Sequence, residues 1–481
     1  MRSTRFTTLA SILALLAACG GGGSDSGGSA PPFTVLPTPT PTPTPPPTTA
    51  GCSLRERQDW AAAQLREWYL FPELLPGTLD PSGYATVDAY IDALTATARA
   101  QSKDRFFTYL TSIAEENAFF TSGSSAGFGI RLSYDSAAGK LFVVEAFEGA
   151  PALAAGIDRG TEILAIGTSA STMRTVASIF AAEGAAGVSA ALGPSDAGVT
   201  RVLRFTSGGV EREGSVTKAD FAISPVSSRY GAKIFEDEGR RIGYLNLRTF
   251  ISTADPQLRA AFDNFRSQGV TQLIVDFRYN GGGLVSIADL MGNLMGAGRT
   301  NSVFSYTTYR PEKANNNSTA FFSPLPQSVA PMKIAFIGTG GTASASELVI
   351  NSFTPYLRAN SALVGANTFG KPVGQIALDR SQCDDRLRVV AFKTENAERR
   401  GDYYTGLASE VEASCRAADD IQRPLGDPAE ASVKGALDFL AGRTCTPIGA
   451  TAGQSAQAVR GRTLLQGERP STAERDVPGL H

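Results

Sequence analysis

One serine lies in a glycine-rich turn between a predicted strand and a predicted helix, a position that suits a nucleophile. The apolar run Lys333–Ile337 predicts a buried strand, and residues 343–354 predict an amphipathic helix. Ser344 therefore lies near a helix N-terminus, where free N–H groups can stabilise an oxyanion. The alternative is that Ser344 only caps the helix, because serine is a preferred N-cap residue.

A serine hydroxyl needs a base, and the sequence offers few candidates. The single histidine, His481, stands at the end of the sequence, and chain ends are usually poorly ordered. We therefore do not expect a Ser-His-Asp triad. A desolvated lysine is the known substitute. Lys371, one of nine lysines, follows the predicted strand Ala362–Val364 between glycines and is the best candidate base.

The segment around Lys371 also resembles a phosphate-binding P-loop, but only in part. Gly365-x-x-x-x-Gly370-Lys371 matches until the last position, where Ser or Thr should bind magnesium. Pro372 supplies neither a hydroxyl nor an N–H, and residues 373–378 predict a strand where a P-loop requires a helix. We therefore expect no nucleotide to bind here.

Three separated motifs resemble those of the C-terminal processing (tail-specific) serine peptidases. They are Asp276-Phe-Arg-Tyr-Asn-Gly-Gly-Gly-Leu284, Gly341-Thr-Ala-Ser-Ala-Ser-Glu347 and Thr368-Phe-Gly-Lys-Pro-Val-Gly-Gln375. Gly281 stands where the family usually has proline. Three motifs in one order form a far more specific match than a single glycine-rich loop.

The resemblance implies a role for each residue of the site. Ser344 would be the nucleophile, Lys371 the general base and Gln375 the partner that orients the lysine. The oxyanion hole would consist of the backbone N–H of Ala345 and that of Gly282 or Gly283. Unfolded or C-terminally exposed proteins would be the substrates, and no metal or other cofactor would be needed.

The resemblance also implies a multidomain α/β fold. An N-terminal helical segment would be followed by a PDZ-like β-rich domain and an α/β crotonase/Clp-like catalytic core. The predicted divisions are a lipoprotein signal peptide (1–19), a Gly/Ser and Thr-Pro linker (20–50), the helical domain (51–120), the PDZ-like domain (121–220), the catalytic core (221–446) and a disordered tail (447–481). The tail prediction follows from its few large apolar residues.

The PDZ resemblance centres on Gly127-Phe128-Gly129-Ile130. Such a loop can direct backbone N–H groups at a terminal carboxylate, while an extended peptide adds to the adjoining strand. These four residues are therefore the predicted peptide-binding residues. The alternative is a domain of this shape that only packs on the catalytic core. The aromatic residues of Asp104-Arg105-Phe106-Phe107 are expected to be core residues without a chemical role.

The composition and the N-terminal sequence limit where the protein is located and what it binds. The 481 residues carry a net charge of −2 without a basic stripe, which argues against nucleic acid as a partner. Arg2 and Arg5, followed by the short apolar run Leu9–Leu16, predict a secretory signal. Leu16-Ala-Ala-Cys19 resembles a lipobox, which implies lipid attachment at Cys19. We expect the lipid to be the only contact with a membrane, most simply the outer membrane, with the protein facing the periplasm.

Four further cysteines predict two disulfides, because an even number in an exported chain is typical of disulfide bonding. Three pairings are possible. We expect Cys383 to pair with Cys415, and Cys52 with Cys445, which would join the start of the folded part to its end. The absence of a nearby histidine and of a close Cys-x-x-Cys argues against zinc.

Two functions remain from different classes. The first is a lipid-anchored serine endopeptidase that cleaves through an acyl-enzyme on Ser344. The second is a non-catalytic peptide- or lipid-binding envelope protein, such as a PDZ scaffold, because a fold does not determine a function. A substitution at Ser344 or Lys371 would favour the second, and the sequence retains both residues.

Overall fold

The computed structural model describes residues 49–449, 462–467 and 470–481. The predicted signal peptide, Cys19 and the predicted linker up to residue 48 lie outside them. Among the described helices, none combines the length and the hydrophobicity that crossing a bilayer requires.

The described chain starts with a segment that is mostly helical. Its elements are α1 (Leu54–Trp68), α2 (Val87–Leu94), α3 (Ala96–Ala100), β1 (Tyr109–Ser112) and α4 (Ile113–Ser122). Apolar side chains such as Leu65 and Ile91 share one buried cluster with Val389, far along the chain. Strand β1 also pairs with residues 385–388. The helical segment is therefore part of the same packed unit as the region predicted to be the catalytic core.

Residues 124–222 form a β-rich domain. Its elements are β2 (Ser124–Gly127), β3 (Ile130–Asp135), β4 (Lys140–Ala146), α5 (Pro151–Ala154), β5 (Glu162–Gly167), β6 (Arg174–Thr175), α6 (Val176–Leu192), β7 (Thr200–Ser207), β8 (Val210–Thr217) and β9 (Ala219–Ala222). Strands β3, β4, β5, β7 and β8 form one antiparallel sheet. Helix α6, which is kinked at Gly184, contributes Ile179 to the apolar core under this sheet.

The catalytic core combines two sheets. Its elements are β10 (Ala232–Asp237), β11 (Arg240–Asn246), α7 (Ala254–Ser267), β12 (Gln272–Asp276), α8 (Val285–Met295), β13 (Val303–Tyr309), β14 (Ser318–Phe321), β15 (Lys333–Gly338), α9 (Ala345–Leu357), β16 (Ser361–Gly365), β17 (Val373–Arg380), β18 (Asp385–Glu395), β19 (Ala413–Arg416) and α10 (Ala431–Leu440). The first sheet has the order β10-β11-β12-β15-β16-β19, and all its pairings except β10–β11 are parallel. The second is antiparallel and contains β1, β13, β14, β17 and β18.

The parallel sheet is covered on both faces. Leu273 and Val275 on β12 pack with residues of α7, α8 and α9, whereas Ile274 between them packs with α10. This alternation is the period of two that a strand imposes. Strands β12 and β15 are parallel neighbours, with Asp276 opposite Ile337. Their carboxyl ends therefore bring two glycine-rich turns together at one edge of the sheet, where sites of open α/β sheets lie.

The disulfides differ from the predicted pairing. Cys52 is bonded to Cys383, and Cys415 is bonded to Cys445. The prediction was wrong because it assumed that the two ends of the folded part meet. Instead, the start of α1 lies on the β17–β18 hairpin, where Arg57 forms an ion pair with Asp385.

The prediction of a disordered tail over 447–481 is also wrong for residues 462–467 and 470–481. They contain β20 (Thr463–Leu464), which pairs with β3, and α11 (Thr472–Asp476). The segment has few large apolar residues, but Leu465, Val477 and Leu480 are all buried. Composition missed this because a few anchoring side chains and backbone hydrogen bonds hold the segment.

Candidate active site

Ser344 lies in a constrained turn between β15 and α9. Its backbone has φ +55° and ψ −115°, which is uncommon for a residue with a side chain. An ordinary N-cap residue has an extended backbone, so Ser344 is more than a cap. The turn is fastened to the neighbouring glycine loop, because Ala343 N donates to Asn280 O at 3.0 Å and Thr342 Oγ1 donates to Phe277 O at 2.7 Å. Strain of this kind collects at functional sites.

Glu347 connects the serine turn to the lysine loop, a role that the sequence analysis did not assign. Its carboxylate is fully buried. Oε2 accepts from Ser344 N at 3.0 Å and from Lys371 N at 2.8 Å, and Oε1 accepts from Gly370 N at 2.7 Å. Burial raises the pKa of Glu347, while Thr368 and the three backbone donors oppose that rise. The sequence signal was the Ser-x-x-Glu spacing of a capping box.

Lys371 has the environment of a general base. Burial lowers the pKa of Lys371 to about 8. Its Nζ donates to Gln375 Oε1 at 2.8 Å and lies 4.8 Å from the centroid of the Phe107 ring. Gln375 in turn donates from Nε2 to Phe107 O, which fixes its oxygen toward the lysine. A β-bulge between Gly374 and Gln375 interrupts the regular alternation of side chains along β17 and so changes the direction of the Gln375 side chain.

The loop before β1 supports the lysine from the other side. Arg105 Nη2 donates to Phe369 O at 2.7 Å and to Gly370 O at 2.6 Å, and its guanidinium lies 4.0 Å from the Phe369 ring centroid. Asp104 holds this loop by accepting from Phe107 N at 2.7 Å. The expectation that these aromatic residues have no role at the site was therefore incomplete. No local pattern in 104–107 indicates contact with a loop so distant in the sequence.

The glycine turn after β12 lies beside Ser344. A Cβ added to Gly282 would stand 2.7 Å from Ser344 Cβ and 3.0 Å from Ala345 N, so only glycine fits there. The N–H of Gly282 donates to Asn280 Oδ1 at 2.9 Å, and Gly283 packs against the backbone of Phe250. Of the predicted oxyanion donors, Ala345 N and Gly282 are thus adjacent, but the Gly282 N–H already has a partner.

Gly281 is the residue of this turn that faces another segment. Its N–H donates at 3.0 Å to the carbonyl oxygen of Asp476, in the segment after residue 470. A Cβ on Gly281 would lie 2.5 Å from Arg475 O, so glycine permits the close approach. In the sequence, Gly281 was notable only as the residue in the place of proline. The structure gives it a contact at the site.

A buried ion network fixes the start of the same turn. Arg278 is fully buried, with Nη2 at 2.7 Å from Asp276 and Nη1 at 2.9 Å from Glu430. Neighbouring carboxylates outweigh burial and raise the pKa of Arg278 well above its usual value. Tyr244 also donates to Asp276 at 2.9 Å. Such a network contributes more to a unique geometry than to net stability, and here that geometry belongs to residues 276–283.

The predicted peptide-binding residues lie between β2 and β3. Phe128 and Ile130 have their side chains in the apolar core of the β-rich domain, so only their backbones are free to bind a peptide. The N–H groups of Gly129 and Ile130 both donate to His481 O, at 2.9 and 3.2 Å. His481 is buried, and burial lowers its pKa to about 4. Its Nε2 lies 3.2 Å from Leu465 O, in the segment that contains β20.

An open cavity connects these parts. It has a volume of about 1740 Å³, and its wall includes Ala343, Gly281, Lys371, Thr108 and Asp476. The helical segment, the catalytic core and the segment after residue 470 therefore all contribute to one space beside the lysine.

Comparison with known proteins agrees with this site. Residues 241–401, which include both turns and the lysine loop, match the model of peptidase family S41. A carboxyl-terminal-processing protease of Synechocystis sp. is 25% identical over 331 residues, which cover 67% of this chain and 70% of that protein. A second such protease, from Picosynechococcus sp., is 27% identical over 251 residues, and the chain spans 55% of its length.

A solved structure has the same fold over most of the chain. The crystal structure of a putative S41 protease from Bacteroides fragilis superposes with a TM-score of 0.62 at 22% identity, covering 80% of this chain and 97% of that one. The solved structure shares a multidomain α/β fold with this chain. The family match on the two turns and the lysine loop, together with the similarity to carboxyl-terminal-processing proteases, indicates that the chain is a serine-type peptidase similar to those of family S41.

Proposed function

We propose that the chain is an endopeptidase with Ser344 as nucleophile and Lys371 as general base. The observation that carries this proposal is the Glu347 carboxylate, which binds the backbone N–H of both residues and so holds the serine turn against the lysine loop. A lysine with a pKa of about 8 is largely protonated at pH 7, but its neutral fraction is far larger than that of an exposed lysine. This is the property that a general base needs.

The chemistry then follows in two steps. Neutral Lys371 takes the proton of Ser344 Oγ while Oγ attacks the carbonyl carbon of the scissile peptide bond. The lysine returns that proton to the leaving amine as the C–N bond breaks, which leaves an ester on Ser344. Water, deprotonated by Lys371, attacks the ester, releases the new carboxylate and restores the serine. Gln375 Oε1 accepts from Nζ throughout and keeps the lysine in place.

The candidate oxyanion donors differ in what their N–H groups bind in this structure. We assign one donor to Ala345 N at the start of α9, where the helix dipole is positive. The Gly282 N–H is committed to Asn280, so we do not assign it. The Gly281 N–H already binds a peptide carbonyl in this structure and would bind a substrate carbonyl in the same way.

Substrate capture belongs, in this proposal, to the PDZ-like β-rich domain. The edge of β3 and the N–H groups of Gly129 and Ile130 would bind the extended C-terminal region of an unfolded or C-terminally exposed protein. The contacts that these N–H groups make with His481 O support this, because a backbone carbonyl from elsewhere in the same chain already binds there. Phe128 contributes its backbone only, since its side chain fills the domain core.

The proposed setting is the cell envelope, with the enzyme lipid-anchored through Cys19 and facing the periplasm from the outer membrane. The lipobox-like Leu16–Cys19 sequence supports this. Metabolic labelling with a fatty acid should mark the wild-type protein and not the Cys19→Ser variant. Labelling of both would contradict the anchor.

A fluorophosphonate probe tests the assignment of the nucleophile. The probe should form an adduct that peptide mapping places on Ser344. Labelling should be lost in Ser344→Ala and strongly slowed in Lys371→Ala, while thermal unfolding shows both variants folded. An adduct on any other serine would overturn the proposed dyad.

A further inference from the structure

The chain itself occupies the peptide-binding edge of the β-rich domain. Residues 479–481 run antiparallel to β3, with Leu480 opposite Arg131. Backbone hydrogen bonds alternate along this pairing: His481 N donates to Ile130 O at 2.9 Å, and Leu132 N donates to Gly479 O at 2.7 Å. A Cβ on Gly127 would lie 2.8 Å from the carbonyl carbon of His481, so the loop closes tightly around this residue. This is β-strand addition by a segment of the same chain.

Side chains reinforce the backbone contacts. Val477 and Leu480 are buried in an apolar cluster to which all parts of the fold contribute. The other members are Phe119, Phe147, Ala150, Phe221, Ile223, Ile251 and Ala473. Ser195 Oγ donates to Glu474 Oε1 at 2.8 Å, and the Arg475 guanidinium lies 3.9 Å from the Tyr109 ring centroid. The segment is therefore bound through several independent anchors.

Five residues before His481, the same segment reaches the catalytic residues. The carbonyl of Asp476 accepts from Gly281 N, in the turn beside Ser344. The Asp476 carboxyl is buried, and burial raises its pKa to about 6. When ionised, this carboxylate raises the pKa of Lys371, because a nearby negative charge favours the protonated lysine. A bound segment thus lies beside the proposed dyad and opposes part of the fall in the pKa of Lys371 that burial causes.

We propose that residues Pro470–His481 are an intramolecular inhibitor that fills the substrate path from the β3 edge to the dyad. The proposal rests on the function proposed above. The segment follows the proposed route of a substrate, because residues 479–481 bind the groove while Asp476 contacts the glycine turn beside Ser344. An enzyme in this state must release the segment before another protein can enter.

The segment is shaped to resist cleavage. Helix α11 extends to Asp476, so the chain arrives at the dyad as a helix and not as the extended strand that a peptidase cleaves. Arg475 fixes that end of the helix by donating from Nη1 to Phe106 O at 3.2 Å.

Tethering makes the segment a strong competitor. A ligand on the same chain acts at an effective concentration of about a millimolar, so a weakly bound free peptide cannot displace it. A protein that presents a tightly binding C-terminal region can displace it, and the same event then opens the dyad. The enzyme would therefore be activated by the class of substrate that fits the groove best.

Substitution of Leu480 tests the inhibition directly. Leu480→Asp places a charge in the apolar cluster and should release the segment. The rate of fluorophosphonate labelling at Ser344 should then rise roughly tenfold to a hundredfold, because it scales with the fraction of molecules whose site is free. Val210→Asp introduces the same charge at an exposed position of the β-rich domain. Ser344 of this control variant should be labelled at the wild-type rate. Equal labelling of wild type and Leu480→Asp would overturn the inhibitor.

A binding measurement separates failure of this proposal from failure of the proposed function. A fluorescent peptide of sequence PSTAERDVPGLH should bind Leu480→Asp and should bind the wild-type protein far more weakly. Equal binding to both would overturn occupation of the groove. Binding to the variant without any labelling of Ser344 would support occupation while overturning the proposed dyad.

The mass of the purified protein tests whether the segment is instead a substrate of its own active site. An inhibitor remains intact, so the wild-type chain should retain residues 477–481 after prolonged incubation. Loss of these residues in wild type but not in Ser344→Ala would show that the segment is a substrate of its own active site, and would overturn the inhibitor.

Discussion

Among the described residues, the side chain that accepts a hydrogen bond from Lys371 is the neutral Gln375, and the ammonium lies against an aromatic ring instead of a carboxylate. A carboxylate in direct contact would hold the lysine protonated, whereas an amide oxygen leaves burial as the dominant influence on its pKa. Lys371→Arg should therefore be as inactive as Lys371→Ala, because arginine stays protonated at any usable pH. Turnover of an unfolded protein substrate is the measurement, and more than a trace of activity in the arginine variant would place the base elsewhere.

The proposed role of Lys371 as the base also predicts how activity depends on pH. Lys371 acts as a base only when neutral, so kcat/KM should rise with pH up to about 8 and level off above it. Two pH units below that value, kcat/KM should be lower by about a hundredfold, since the neutral fraction falls tenfold per unit. A profile that stays flat between pH 6 and pH 9 would contradict this assignment.

We call the hydrogen bonds of Glu347 to Ser344 N, Gly370 N and Lys371 N the clamp. Substitution of Glu347 tests whether this clamp holds the serine turn against the lysine loop. Glu347→Gln replaces one acceptor oxygen by an NH₂ group, which would face the N–H of Ser344 and Lys371 or that of Gly370. An unsatisfied buried donor costs about 1–3 kcal/mol, so the free energy of unfolding should fall by that amount.

The activity of the Glu347→Gln variant distinguishes positioning from general stability. Its kcat should fall by about tenfold to a hundredfold with little change in KM, because substrate binding does not use the clamp. Glu236→Gln, at an exposed position on β10, should leave both constants unchanged. A rise in KM alone would show that Glu347 serves binding and not the geometry of the dyad.

At the scale of elements, local patterns predicted the scaffold of the site well. The apolar run Lys333–Ile337 is β15, and the helix expected over 343–354 is α9. Residues 373–378, expected as a strand in place of a P-loop helix, belong to β17. These predictions succeeded because each depends on a short run of residues and its hydrophobic period.

The features that sequence did not predict depend on contacts between distant segments. Glu347 had a visible capping pattern, but its bonds to Gly370 and Lys371 arise only when β15 and β16 pair. Phe107 reaches Gln375 because β1 joins β18, a pairing across the whole catalytic core. The cysteine pairing failed for the same reason, since four cysteines alone allow three connectivities.

At the scale of elements, the two disulfides predict both a pairing pattern and a loss of stability when either is removed. Mass spectrometry of a non-reduced digest should find Cys52 with Cys383 and Cys415 with Cys445. Replacing either pair by serines should lower the free energy of unfolding by about 2–5 kcal/mol. The loss should be larger for Cys52–Cys383, which spans 331 residues rather than 30, because a longer loop constrains the unfolded chain more. A larger loss for Cys415–Cys445 would contradict the loop-entropy argument.

At the scale of the whole molecule, no single part contains the complete site. The catalytic core provides Ser344 and Lys371, and the helical segment provides the Phe107 carbonyl that fixes Gln375. The β-rich domain provides the edge that residues 479–481 occupy. Activity should therefore respond to changes far from the dyad in sequence, provided that they lie where two parts meet.

Arg105 is the place to test this dependence between parts. It belongs to the helical segment, yet it donates to the carbonyls of Phe369 and Gly370 in the lysine loop. Arg105→Ala should lower kcat by about tenfold or more, because both hydrogen bonds to a charged donor and the packing on Phe369 are lost.

Arg55→Ala is the matched control. It removes an equally charged but exposed side chain of the same segment, which pairs with Asp59 on its own helix, and should leave kcat unchanged. Steady-state kinetics on a short peptide, with thermal unfolding to show that each variant is folded, provide the comparison. Equal kcat values in the two variants would mean that the lysine loop keeps its geometry without the helical segment.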